Sequence, residues 1–153
     1  MPGCVRVSRV PAEATYALRR AVLRPCLRLA DMAMPGDDDP ATVYLAVLGA
    51  ADDILSTLRL QPVPCPWSPA RTDAWQLRSM ATAKHARGLG HGAALVAAAV
   101  RRIAVQGGGL LWCNARVPAE PFYVRAGFTA AEHRWDDLEF GPHVGMVQEV
   151  PAS

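Results

Sequence analysis

Arg87-Gly88-Leu89-Gly90-His91-Gly92 lies between a strand-like run, Ala74 to Met80, and an Ala/Val/Leu-rich helical run from Gly88 to about Ala104. Three glycines at the mouth of a helix leave backbone N–H groups uncovered by side chains, where an anion can approach closely. Arg87 adds a permanently charged, forked donor. The stretch predicts a phosphate cradle, with a pyrophosphate-bearing cofactor as its guest rather than a lone carboxylate.

Outward from the cradle, Gly107-Gly108-Gly109 precedes a strand over Leu110 to Asn114. Strand, helix, strand in that order predicts a right-handed crossover with parallel neighbours. A short helix follows, with Pro118 and Pro121 in its first turn and Gly127 in the left-handed conformation that ends it, Phe128 folding back on the last turn. Trp135 to Phe140 and Val144 to Val150 flank Gly141-Pro142-His143 and read as a closing antiparallel pair. Upstream, Ala12 to Leu29 has helical spacing, with Pro25 bending or dividing it. Its arginines, Arg19, Arg20, Arg24 and Arg28, read as a wet face. Met34 to Pro40 is a turn cluster whose Asp37, Asp38 and Asp39 read as solvated. Thr42 to Leu48 reads as a central strand, Ile54 to Gln61 as its hairpin partner, and Pro62, Pro64, Pro66 and Pro69 impose a surface loop. Leu89, Val96, Val100 and Ile103 read as core, as do the four tryptophans.

At 153 residues, 51% hydrophobic and 20% charged, the chain amounts to one globular domain, 1–153, with no internal repeat. No run of about twenty uncharged apolar residues is present, and Met1 to Cys4 leads into arginines rather than a signal-peptide core, so a cytoplasmic protein without membrane contact is expected. Cys4, Cys26, Cys65 and Cys113 are widely spread, which disfavours structural zinc and a disulfide framework; no metal site is expected. A net charge of +2 with scattered arginines gives no basis for nucleic-acid binding.

The hexamer's spacing admits more than one ligand. Gly88, Gly90 and Ala93 also fit a dinucleotide-binding pattern, but that fold puts its glycine turn directly after the strand, and here Ala81 to Ala86 intervene. A Walker phosphate loop is excluded because no Gly-Lys-Ser/Thr follows.

Taken with Arg87, Gly90 and Gly92, the downstream block Asn114-Ala115-Arg116, Ala119, Phe122-Tyr123 and Gly127-Phe128 resembles the GNAT superfamily of N-acetyltransferases. Thr57-Leu58-Arg59-Leu60 and Gly141-Pro142-His143 with Met146 resemble a subset of that family, so the likeness spans nearly the whole chain. Thr82 and Lys84 depart from it, standing where Val and Pro are common.

The resemblance implies an α/β (α+β) fold: a mixed, mostly antiparallel twisted sheet flanked by helices, with splayed central parallel strands. It implies acetyl-CoA as cofactor and the primary amine of a small molecule or peptide as acceptor, acetylated by direct attack. Met80, Ala81 and Thr82 would contact the acetyl group and pantetheine through main chain, and Arg87, Gly88, Leu89, Gly90, His91, Gly92 and Ala93 would hold the pyrophosphate. Lys84 or His85 would meet the ribose phosphate. Asn114 would bond pantetheine or cap the following helix, and Tyr123 would serve as general acid toward the departing thiolate. His143 and Glu139 are the candidate proton acceptors, and His91 reads as facing solvent. The alternative is a catalytically inactive acyl-CoA-binding sensor. The oligomeric state stays open, a homodimer included.

Overall fold

A computed structural model describes residues 5–153; Met1 to Cys4, on which the leader reading rests, lie outside them. Seven strands form one sheet in the order β1-β2-β3-β4-β5-β7-β6. They are β1 (Val7–Val10), β2 (Val43–Leu48), β3 (Ile54–Pro62), β4 (Ala74–Thr82), β5 (Gly109–Arg116), β6 (Thr129–Asp137) and β7 (Gly141–Val150), with helices α1 (Tyr16–Leu23), α2 (His91–Val105) and α3 (Glu120–Arg125). β4 and β5 are parallel, whereas β1–β2, β2–β3, β5–β7 and β6–β7 are antiparallel. This is the mixed, mostly antiparallel α/β architecture that the resemblance implies. Two compact units share it. One runs to Gln61 and takes in Ser79–Ala99; the other comprises Pro62–Arg78 and Val100–Ser153.

In the first unit, Val43 to Val47 are buried in unbroken succession, as a strand covered on both faces requires. β2 pairs with β3 from Val43↔Leu60 to Leu48↔Ile54. Helix α1 is shorter than Ala12 to Leu29: a 3-10 turn over Ala12–Thr15 leads into it, and it stops at Leu23 because Pro25 cannot continue it. Arg19 is not on a wet face. It is 2% exposed, its guanidinium lying 5.2 Å from the Tyr44 ring centre and bonding Thr15 Oγ1 and the Met32 carbonyl.

In the second unit, β5 and β7 pair over eight positions, Gly109↔Val150 to Arg116↔His143. The parallel ladder is much shorter. It comprises Ala74↔Leu110, Trp75↔Leu111 and Gln76↔Trp112, although both strands run on past it. Gly127 takes φ +103° and the Phe128 N–H returns to the Tyr123 carbonyl at 3.0 Å, so α3 ends as the sequence predicts. The closing hairpin differs from expectation. β6 begins at Thr129 rather than Trp135, and the turn falls at 138–140, because the Asp137 carboxylate accepts the N–H groups of Glu139 (2.8 Å) and Phe140 (2.9 Å). Gly141-Pro142-His143 therefore opens β7 instead of forming the turn. Among the described residues no helix is long and apolar enough to cross a membrane.

Candidate active site

The glycine stretch folds as a loop followed by a helix, and its backbone angles need glycine. Gly88 and Gly90 take φ +77° and +83°, which L side chains rarely adopt, and a Cβ at either position would point into open space. Helix α2 begins at His91 rather than Gly88. Its first turn bonds the Ala94 N–H to the Gly90 carbonyl at 3.1 Å, so the amides just before Ala94 lie outside the helical ladder. Exposed Arg87 follows a 3-10 turn over Lys84–Ala86, where Lys84 and His85 are also exposed. The turn is anchored by the Ala83 N–H to the Leu55 carbonyl (2.8 Å), and Thr82 pairs its hydroxyl with Ser56 Oγ (2.7 Å). Lacking the Val and Pro common at Thr82 and Lys84, the loop is fixed by hydrogen bonds.

Two residues here depart from expectation. Leu89 precedes the helix and is 64% exposed, so it is not core. His91 is not a solvent-facing side chain: both ring nitrogens are buried and have no hydrogen-bond partner among the described residues. Open left-handed glycines, amides beyond the helical ladder and an exposed guanidinium together suit a phosphate-bearing cofactor.

Upstream in the same unit, Met80 and Thr82 are half-buried on β4 and Ala81 is buried. The residue that shapes this strand end is Ser79, with φ +55°. A left-handed residue inside a strand turns the neighbouring peptide groups out of the regular ladder direction, at a cost of about 1–2 kcal/mol. Serine carries no sequence signal for it. Ser79 Oγ lies 3.7 Å from Met34 Sδ, which also accepts from Arg19 Nη2 at 3.0 Å. The neighbouring segment 35–37 is held by Arg59, whose side chain is 1% exposed in the middle of β3. Arg59 donates through Nε to Asp37 Oδ1 (3.3 Å), through Nη2 to the Pro35 carbonyl (2.7 Å) and through Nη1 to Gln61 Oε1. Tyr44 adds a 2.7 Å hydrogen bond to Asp37, and burial together with that bond pushes its phenol up to about 12. Asp37 is thus part of a buried network rather than a solvated turn. A charged residue in the middle of an apolar strand, Leu58-Arg59-Leu60, is the signal that exposes the network.

In the second unit, Tyr123 is 8% exposed, its ring 5.1 Å from Phe122 and 5.4 Å from Phe128. Burial, and then the neighbouring Cys113, raise its pKa far above the usual phenol value, so it is a neutral donor at physiological pH. Burial likewise pushes the Cys113 thiol up to about 12. Along β5, Cys113 and Ala115 are buried while Asn114 and Arg116 are exposed, so Asn114 is on the face opposite Cys113. His143 pairs with Arg116 across β5 and β7, and stacks on Trp135 at 5.4 Å and 17°. Its Nδ1 lies 2.8 Å from the Gly141 carbonyl, which can only accept, so Nδ1 carries a proton and Nε2 is the nitrogen left to other partners. Glu139 is in the exposed hairpin turn rather than within a strand. Trp135 also belongs to a ring cluster with Trp67, His133 and buried Trp112; Trp67 packs so closely on Gly145 that a Cβ there would lie 2.5 Å from the indole.

Residues 39–130 match the acetyltransferase (GNAT) domain, and the chain belongs to that family. It is 26% identical over 149 residues to the Bacillus subtilis uncharacterized N-acetyltransferase YitI, covering 97% of this chain and 99% of that protein. Among solved structures it shares its fold with the Escherichia coli ribosomal-protein-S18-alanine N-acetyltransferase at TM-score 0.76 and 15% identity, covering 97% of this chain and 95% of that one. An aminoglycoside 6'-N-acetyltransferase complexed with coenzyme A matches at TM-score 0.70 and 11% identity, covering 97% and 98%.

Proposed function

We propose that the protein transfers an acetyl group from acetyl-CoA to a primary amine of a small molecule or peptide, by direct attack, as one catalytic domain. The observation that carries this reading is the cradle: two left-handed glycines and a set of amides at the N-terminus of α2, beside an exposed Arg87, in a chain of the GNAT family. In this reading Arg87 and the amides of Gly88 to Ala93 hold the pyrophosphate, with Lys84 or His85 near the ribose phosphate. Met80, Ala81 and Thr82 offer main-chain groups to pantetheine and the thioester, next to the left-handed backbone at Ser79. Such an N–H stabilises the oxyanion formed when the amine attacks.

Amines arrive as ammonium ions and must first lose a proton. His143 is the first candidate acceptor, through Nε2, because its Nδ1–H is engaged by the Gly141 carbonyl, and Glu139 in the exposed turn is the second. The amine nitrogen then bonds the carbonyl carbon, the C–S bond breaks, and Tyr123 donates toward the departing sulfur. Asn114 holds pantetheine or the entry to α3. Mass spectrometry of an amine panel incubated with acetyl-CoA tests the proposal: an N-acetylated product and free thiol in equal amounts are expected. Tight acetyl-CoA binding with no product from any amine would favour the acyl-CoA-binding sensor instead.

A further inference from the structure

Two features that weaken local structure meet in the second unit. Gly145 lies inside β7, where a residue without a side chain adds no packing of its own. Trp67, from the segment between β3 and β4, takes up the space: a Cβ on Gly145 would lie 2.5–2.8 Å from three of its ring carbons. The Trp67 Nε1 is then buried with no hydrogen-bond partner among the described residues. An indole donor left so is destabilising, and phenylalanine would avoid it. Stability alone accounts for neither residue, and departures of this kind gather where function requires them.

What the indole gains is reach. Its ring stands edge-on to buried Trp112 at 5.4 Å and 89°, and lies 5.6 Å from His133 and 6.4 Å from Trp135. The segment that carries it is tied down at both ends. Trp112 Nε1–H donates to the Val63 carbonyl at 2.9 Å, and Arg71 bonds Asp73 and Glu149. Trp135 in turn carries the His143 imidazole, stacked at 5.4 Å and 17°. The rings thus run in series from the core to a half-buried imidazole whose Nδ1 faces the Gly141 carbonyl. One hydrogen bond leaves an imidazole able to tilt about it. A flat neighbour, itself held from behind, removes that freedom.

We infer that Trp67 is a positioning residue: seated over Gly145, it holds the Trp135 ring, and Trp135 fixes the plane of the His143 imidazole with Nδ1 toward Gly141. The catalytic consequence rests on the proposed reading of His143 as proton acceptor. The placement of the ring does not.

Nitrogen-15 NMR of the imidazoles of the full chain tests the placement without any acceptor. It is done at pH 9, where an ordinary imidazole, with pKa about 6.5, is neutral. His143→Gln identifies the His143 signals. The unaltered protein should show His143 as the Nδ1–H tautomer, its ring protons moved upfield by the Trp135 face. Trp67→Leu should lose the upfield shift and show both tautomers, and Trp67→Met gives the same reading should Trp67→Leu fail to fold. Trp67→Phe, which keeps a ring over Gly145, should restore most of both. Trp75→Leu removes a half-buried indole outside the cluster and should leave the His143 signals in place, whatever it does to the melting temperature. His143 signals unchanged in the aliphatic variants, or equally changed in Trp75→Leu, overturn the inference.

The catalytic role is read with acetyl-CoA and whichever panel amine gives most product. Trp67→Leu should lower kcat about tenfold or more with the KM for acetyl-CoA unchanged, because a displaced base transfers protons poorly. In a His143→Ala background it should lower kcat no further. An equal loss in that background makes Trp67 merely structural. Full activity in His143→Ala removes the acceptor assignment and the catalytic role with it, while the imidazole signals still decide whether Trp67 places the ring.

Discussion

Replacing Arg59 with Met should cost far more than replacing Arg71, an arginine with several carboxylate bonds of its own, and the reason is burial. Arg59 is 1% exposed and bonds Asp37, Gln61 and the Pro35 carbonyl, and its removal strands a carboxylate that is itself only 11% exposed. Breaking a buried pair from one side costs about 3–5 kcal/mol. Asp37 keeps two donors, the Tyr44 hydroxyl at 2.7 Å and the Met34 N–H at 2.8 Å, so the lower end, about 3 kcal/mol, is expected. For a chain of this size that lowers the melting temperature by roughly 6–12 °C. Arg71 makes four hydrogen bonds, to Asp73 and Glu149, but on the surface, where water screens them; Arg71→Met should have a much smaller effect. The double variant Asp37→Asn/Arg59→Met should recover about 1 kcal/mol relative to Arg59→Met, since no charge is then stranded. Urea unfolding followed by circular dichroism reads all of these. A loss below about 1 kcal/mol for Arg59→Met, or an equal loss for Arg71→Met, would refute the argument that burial decides the cost.

Tyr123→Phe should lower the turnover rate with acetyl-CoA affinity nearly intact; an unchanged rate in stopped-time thiol release would remove Tyr123 as the acid. Gly145→Ala should destabilise by about 1–3 kcal/mol because its Cβ would lie 2.5 Å from the Trp67 ring, a loss visible in thermal melts and in near-ultraviolet dichroism. Stability should fall at alkaline pH. Burial raises the Cys113 thiol from 9.0 to about 12, so its neutral form contributes fully below about pH 9 and that contribution is lost as pH climbs toward 12. Cys113→Ala should flatten the decline over that interval, measured as denaturation midpoint against pH.

The sequence makes some of this legible because the signals are local. Glycine at 88, 90 and 127 marks left-handed backbone, and the unbroken apolar run after Thr42 marks a covered strand. Other features depend on tertiary context. Glu132-His133-Arg134 hides the first half of β6, an edge strand whose side chains are mostly exposed, so alternation is weak there. Asp137, not Gly141, sets the hairpin turn because a carboxylate takes two amides. Arg19 looks solvated by helical spacing, but its neighbours across the fold, Met32 and Tyr44, bury it. Ser79 adopts a glycine-like angle without being glycine. At the candidate site, motif spacing locates the loop, whereas the His143–Gly141 contact and the buried nitrogens of His91 depend on packing that no local signal carries.

Acetyl-CoA titration of the unaltered protein, Arg87→Ala and Gly90→Ala tests the cradle most directly. Saturable binding is expected, weakened by about 1.5–3 kcal/mol in Arg87→Ala through loss of a charge-assisted phosphate contact. Gly90→Ala should weaken it too, since alanine resists φ +83° and the amides would turn away. Equal affinity in all three proteins, or no binding to any of them, would contradict the assignment.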